Sequence, residues 1–118
     1  MADAQIYRRT RTVDITLTTA TSSATTLNLA DMAGAVVSFG TMSTNASTLQ
    51  MWGCDTESGT YKRVYKADGS VADVTLAPST AAGRIYAMPD EVYALPFLKI
   101  LSAHTAATGV AGVVVFKS

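Results

Sequence analysis

Short alternations of apolar and polar residues, broken by turn signals roughly every 8–14 positions, constrain this chain more than any other feature. Val13, Ile15 and Leu17 point one way while Asp14, Thr16 and Thr18 point the other, the pattern of a half-buried strand. A polar run over Thr21–Thr26 reads as a loop, followed by a short Leu27/Leu29 alternation. Ala35–Met42 predicts a more buried strand with Val37 and Phe39 on one face. After a turn at Ser43–Ser47, Leu49, Met51 and Gly53 alternate with Gln50, Trp52 and Cys54. Tyr61–Tyr65 is extended again, and Asp68-Gly69 is a hairpin turn because both residues tolerate left-handed backbone. Val71–Leu76 is then the expected return strand. Arg84–Met88 predicts a short strand, Asp90–Ala94 one helical turn behind Pro89, and Phe97–Ser102 and Val110–Phe116 two strongly apolar strands. The last is apolar on both faces, so it is either central in a sheet or paired across a subunit boundary.

About nine short strands with turn chemistry between them predict an all-β fold, an antiparallel β-sandwich or barrel. Composition agrees. Thr and Ser number 17 and 10, and Thr suits a pleated surface, whereas Glu occurs twice and Lys four times. An exposed helix fills its polar face with those scarce residues. At 118 residues the chain holds one domain, expected at 13–118 behind an N-terminal arm at 1–12.

Charge and motif content exclude most chemistry. Nine cations balance nine anions, which argues against a general nucleic-acid binder, since phosphate neutralisation needs surplus cations. Apolar runs fall short of the ~20 residues that span a bilayer, so no membrane partner is expected. A single cysteine, Cys54, and a single histidine, His104, exclude an internal disulfide and the usual zinc sites. The sequence carries no nucleophile elbow, phosphate loop or zinc-protease motif, so neither catalytic residues nor cofactors nor metals are expected. Asp55, Glu57 and Gly59 fail the spacing of a calcium loop.

Two features point to binding. Residues 13–61 contain four acidic side chains and no Lys or Arg, a surface that is either hydroxyl-coated or covered by other subunits. Residues 1–12 (MADAQIYRRTRT) lack core periodicity but carry Ile6, Tyr7, Arg8, Arg9 and Arg11. These form the candidate partner-binding arm, with Arg guanidinium groups forking onto carboxylates and Tyr7 as anchor. Trp52 and Tyr61 are the candidates for an alternative role as a glycan-stacking platform.

The order Met51, Asp55, Gly59-x-Tyr61-x-x-Val64, then Asp68-Gly69, Val74-x-Leu76, Arg84-x-Tyr86-Ala87, Leu95 and Phe97-Leu98-Lys99-Ile100 resembles small β-sandwich virion proteins of tailed bacteriophages, of the head decoration (cement) or head-fibre type. The resemblance spans roughly residues 13–116. It implies a jelly-roll-like domain on the outer surface of a capsid, assembled in a reducing bacterial cytoplasm without disulfides. It further implies a noncatalytic role, with the major capsid protein and further copies of itself, a homotrimer for preference, as partners. The alternative it implies is a carbohydrate-binding or adhesion module of a head or tail fibre.

Overall fold

The computed structural model describes residues 9–43, 46 and 48–118, so Ile6, Tyr7 and Arg8 of the expected arm, and Thr44, Asn45 and Ser47 of the expected turn, lie outside the described residues. The strands in chain order are β1 (Thr10–Thr16), β2 (Leu27–Asn28), β3 (Gly34–Phe39), β4 (Thr48–Cys54), β5 (Lys62–Arg63), β6 (Val74–Thr75), β7 (Arg84–Ala87), β8 (Phe97–Ser102) and β9 (Ala111–Lys117). They form an antiparallel β-sandwich. One sheet has the order β1-β9-β3-β7, and the other the order β2-β8-β4-β5, with β6 also paired to β4. The pairing is nested: β1 with β9, β2 with β8, β3 with β7, and β4 with β5 and β6. The β9–β3 and β8–β4 ladders join these pairs into the two sheets.

The core forms where the period-two stripes of the two sheets meet. Val37, Val114 and Phe116 from the first sheet and Leu49, Met51 and Leu98 from the second are fully buried. β9 lies centrally between β1 and β3, with Gly112, Val114 and Phe116 turned to the core and Val113 and Val115 partly exposed on the outer face. Of the two readings its sequence allows, the central position is the one adopted. A 3₁₀ turn at Asp90–Ala94 follows Pro89 and buries Val92, as the sequence predicts. Near it, the Tyr93 hydroxyl donates to the Ala35 carbonyl at 3.4 Å, and burial followed by the charge of Asp90 pushes its pKa up.

Two expectations need correction. The sandwich begins at Thr10, not at residue 13: Thr10, Arg11 and Thr12 pair with Lys117, Phe116 and Val115. The inward stripe Val13, Ile15, Leu17 extends back to Arg11, which reads as polar in a sequence but lays its side chain on the core. Its guanidinium carbon sits 4.9 Å from the centroid of the Phe116 ring, and its Nη2 donates to the Asn28 carbonyl of β2. Arg11 therefore clasps the two sheets along the β1/β2 edge, its stem shielding apolar surface and its head satisfying a backbone acceptor.

The second correction concerns the hairpin. The turn at Asp68-Gly69 forms, with Gly69 at φ 88° and Tyr65 bridged to Val71. The return segment does not stay on β5, however. Past Ala72 it crosses to the start of β4, where Val74 and Thr75 pair with Leu49 and Thr48. From that position Val74 and Leu76 join the core. Arg63 Nη2 meets Asp73 Oδ2 at 2.5 Å, both side chains largely buried, and ties β5 to the crossing.

The turn also yields a pH prediction. The Asp68 carboxylate accepts the Ser70 hydroxyl at 2.6 Å and the Ser70 N–H at 2.9 Å. The hydroxyl first and the N–H second hold its pKa below the ordinary 3.8. A depressed folded value means that the turn's stabilisation is complete above the ordinary carboxylate range and is lost as pH falls through the folded pKa. NMR titration should place the Asp68 midpoint below 3.8, and Ser70→Ala should move it upward. A midpoint unaffected by that substitution contradicts the assignment.

Candidate interaction surfaces

The two outer faces of the sandwich differ. On the second sheet, Gln50, Trp52 and Cys54 of β4 lie opposite Leu101, Lys99 and Phe97 of β8. Here the chain clothes itself. Leu101, Cys54 and Tyr61 are buried although they stand outside the main core. The Ser102 N–H donates to the Thr18 carbonyl at 2.8 Å, and Lys99 Nζ donates to the Thr21 carbonyl at 2.7 Å, holding the loop after β1 against this face. Lys99 Nζ also sits 4.5 Å from the centroid of the Tyr61 ring, whose hydroxyl donates to the Glu57 carbonyl at 2.7 Å.

These contacts correct the expectation of an exposed aromatic strip through Tyr61. The ring is 8% exposed and its face is occupied by a lysine from its own chain. Trp52 is half-buried, its Nε1 donating to Gln50 Oε1 at 3.1 Å. A sugar ring stacks on an aromatic face that is open and flat, and Tyr61 offers none.

The outer face of the first sheet carries no such cover among the described residues. The register sets out two cross-strand rows on it: Thr12, Val115, Val36, Ala87, and Asp14, Val113, Ser38, Ile85. Val36, Val113 and Val115 are partly exposed, and Ile85 is 66% exposed on the edge strand β7. Toward the opposite edge lies a shallow hollow of about 430 Å³ lined by Asp14, Thr16, Ser38, Gly40, Ala111 and Val113 among others. Small residues at 40 and 111 leave that space open. Asp14 and Lys117 are the charged positions of the strands that point to this face. A contiguous apolar strip of this kind marks an interaction surface more often than isolated exposed residues do.

The described part of the candidate arm is engaged within the chain. Arg9 pairs with the Asp31 carboxylate at 3.2 Å, both side chains mostly exposed, so the pair contributes little. The backbone of Arg9 exchanges hydrogen bonds with Ser118, to its Oγ at 2.7 Å and from its N–H at 3.0 Å. With Arg11 on Phe116, two of the three arginines expected to reach a partner instead fasten the chain's own ends. The expectation of a free arm is thereby corrected for residues 9–12, and its remainder lies outside the described residues.

The other singled-out groups are placed as follows. Cys54 is a free, buried thiol with Sγ 3.6 Å from Asp55 Oδ1 and 3.8 Å from Thr56 Oγ1. It borders a hollow of about 570 Å³ between the β4–β5 region and the Asp90–Ala94 turn. His104 is exposed, its backbone N–H held by the Ser102 hydroxyl at 3.1 Å. Among the described residues, no three His, Cys, Asp or Glu side chains are grouped to hold a metal ion.

The residues that sequence reasoning missed are Val36, Ile85 and the outward valines of β9. The signal was present in Val113 and Val115, since an apolar run on both faces of a strand requires something to cover each face. Comparison of the chain with protein-family models, with curated proteins and with solved structures returned no match.

Proposed function

We propose that this chain is a noncatalytic structural subunit of a bacteriophage particle, a capsid decoration protein that binds across major capsid subunits on the outer surface of the shell. The observation that carries the reading is the asymmetry of the sandwich: one outer face is clothed by the chain's own loops, while the other is left apolar and poor in charge. Leaving such a face in water is unfavourable by ~25 cal/mol for each Å² of apolar surface, and an assembly subunit recovers that free energy on docking. The nested strand order supports the reading further. Counting β5 and β6 as one strand, the first pairs with the eighth, the second with the seventh, the third with the sixth and the fourth with the fifth. An order of this kind supports the jelly-roll reading, an architecture frequent among viral capsid and lectin domains. The motif order noted in the sequence supplies the phage assignment.

A decoration protein stabilises a shell because it binds the assembled surface and not the free subunits. Repetition over a lattice then multiplies contacts that are individually weak. Residues 1–8 are the segment assigned to the capsid, and Arg9 and Arg11 are not. Deleting residues 1–8 is expected to leave the thermal transition unchanged and to weaken attachment to shells at least ~10-fold, the loss of one modest anchor. Deleting residues 1–12 removes the start of β1 together with the Arg11 clasp, and is expected to lower stability as well. Co-sedimentation with particles lacking the protein, beside a thermal melt of each truncation, measures both. The decisive experiment is to purify particles from the genome that encodes this chain, with its gene intact or deleted. Surface density that disappears with the gene is the expected result; absence of the chain from intact particles overturns the proposal.

A further inference from the structure

We infer that Asp68-Gly69 is a latent site of succinimide and isoaspartate formation, and that the hydrogen bonds of its turn hold the reaction off. The inference is independent of the assembly role proposed above. Asp68-Gly69 is the only Asp-Gly or Asn-Gly pair in the chain. In such a pair no side chain on the second residue hinders its nitrogen from approaching the neighbouring carboxyl carbon. The Gly69 nitrogen attacks Asp68 Cγ, an N–C bond forms, and the carboxyl hydroxyl leaves as water with the amide proton. Water then opens the cyclic imide at either carbonyl. Opening at one returns aspartate, and opening at the other leaves isoaspartate, in which the main chain runs through Cβ. Composition is unchanged overall, and water is the one co-reactant.

Asp68, Gly69 and Ser70 are all exposed, so burial offers this bond no protection. Hydrogen bonds supply it instead. The nucleophile is turned away, because the Gly69 N–H donates to the Lys66 carbonyl at 3.0 Å. The electrophile is held as well, because Asp68 Oδ1 accepts the Ser70 hydroxyl at 2.6 Å and the Ser70 N–H at 2.9 Å. Both contacts favour the ionised carboxylate, which has no hydroxyl to lose, and they keep its pKa low. They also bind it to residue 70 and not to the nitrogen of residue 69. The Lys66 N–H closes the turn by donating to the Ser70 carbonyl at 2.7 Å, and Tyr65 is bridged to Val71 behind it. Reaction therefore requires the turn to open, and its rate scales with the open fraction.

The modification has a structural consequence. Isoaspartate places one more main-chain atom inside the loop that Lys66 and Ser70 close, so the Tyr65–Val71 bridge loses its register. Just beyond it, the Ala72 N–H donates to the Val64 carbonyl at 3.0 Å, and Arg63 is paired with Asp73. These are the ties that fasten β5 to the crossing segment.

The test compares the full chain, held at neutral pH and physiological temperature, with the same chain unfolded in urea. Isoaspartate is followed in time by enzymatic methyl transfer from S-adenosylmethionine to its free carboxylate. Fragmentation of the tryptic peptide running from Ala67 to Arg84 locates it. The expected result is formation at Asp68 that is at least ~10-fold slower in the folded chain than in urea. Ser70→Ala, which removes the hydroxyl contact at an exposed position, should speed the reaction of the folded chain several-fold with circular dichroism unchanged. Hydrogen exchange of the Gly69 N–H, slow in the folded chain, should quicken in the same variant. Equal rates in the folded and unfolded chain overturn the inference, as does a Ser70→Ala chain that reacts no faster than the parent. So does a chain that stays free of isoaspartate in urea, since the site is then absent and not guarded. None of these outcomes bears on whether the chain is found on the particle, so this inference and the structural role fail separately.

Discussion

Phe116→Ala is expected to lower the stability of the sandwich by about 3–5 kcal/mol, the largest effect of any single truncation considered for this chain. Phe116 is fully buried on an inner strand of the first sheet, and its side chain is the largest with no exposure among the described residues. Removing the ring forfeits its transfer free energy and opens a cavity that the flanking β1 and β3 ladders hold open. The loss continues at the surface. Arg11 lies on that ring, 4.9 Å from its centroid, and would be left over a void with only its hydrogen bond to the Asn28 carbonyl. Against the ~5–15 kcal/mol typical of a domain, this is about a fifth or more of the total. A midpoint decrease of roughly 10–20 °C corresponds to it. Urea unfolding with an unchanged slope measures the loss directly. Phe116→Leu, which keeps most of the volume, should cost under ~1.5 kcal/mol. Equal losses for the two substitutions would show that the cavity account is wrong.

Gly112→Ala is expected to destabilise by about 1–3 kcal/mol, although alanine is the better strand residue and adds one methyl group. Gly112 is opposite Ile15 on one side and Phe39 on the other. A Cβ there would lie 2.7 Å from Cδ1 of Phe39 and 3.2 Å from the Ser38 carbonyl oxygen. Phe39 cannot swing away freely, since it is itself buried and its ring packs against Tyr86 with centroids 6.4 Å apart. The control is Gly34→Ala on β3 of the same sheet, where nothing lies within 4 Å of an added Cβ. That substitution should be neutral or stabilising by up to ~1 kcal/mol through the unfolded chain. If both glycines respond alike, close approach of Phe39 is not what keeps position 112 small.

These two residues show where the sequence was legible. The apolar run that holds Gly112, Val114 and Phe116 is visible in the sequence, though not which of its faces turns inward, and so is the partner stripe of Val37 and Phe39 on β3. That Gly112 exists to admit the Phe39 ring is visible in neither, because the two residues are far apart in the chain. Arg11 is a sharper case. It continues the stripe of Val13, Ile15 and Leu17, yet a charged residue interrupts a hydrophobic pattern, so the arm was expected to run on to residue 12. Only the fold supplies Phe116 beneath its guanidinium and the Asn28 carbonyl beyond it.

The surface was less legible than the core. Tyr61 and Trp52 stand out in a sequence as scarce aromatic residues, and their fate depended on Lys99, which lies far along the chain and is brought beside them by the β4–β8 ladder. Ile85, Val36, Val113 and Val115 are unremarkable one by one and form a surface only when β7, β3 and β9 are laid side by side.

Alternation by twos, turn residues at the breaks and the scarcity of helix formers were enough to determine an all-β antiparallel fold of about nine strands, a sandwich or a barrel, because each is a local property of consecutive residues. Which strands neighbour one another, which of two apolar faces turns inward and which loop shelters the other were decided by tertiary structure alone. Those choices are settled by the burial of side chains distant in sequence, and short-range pattern carries no record of which distant partner a strand will meet.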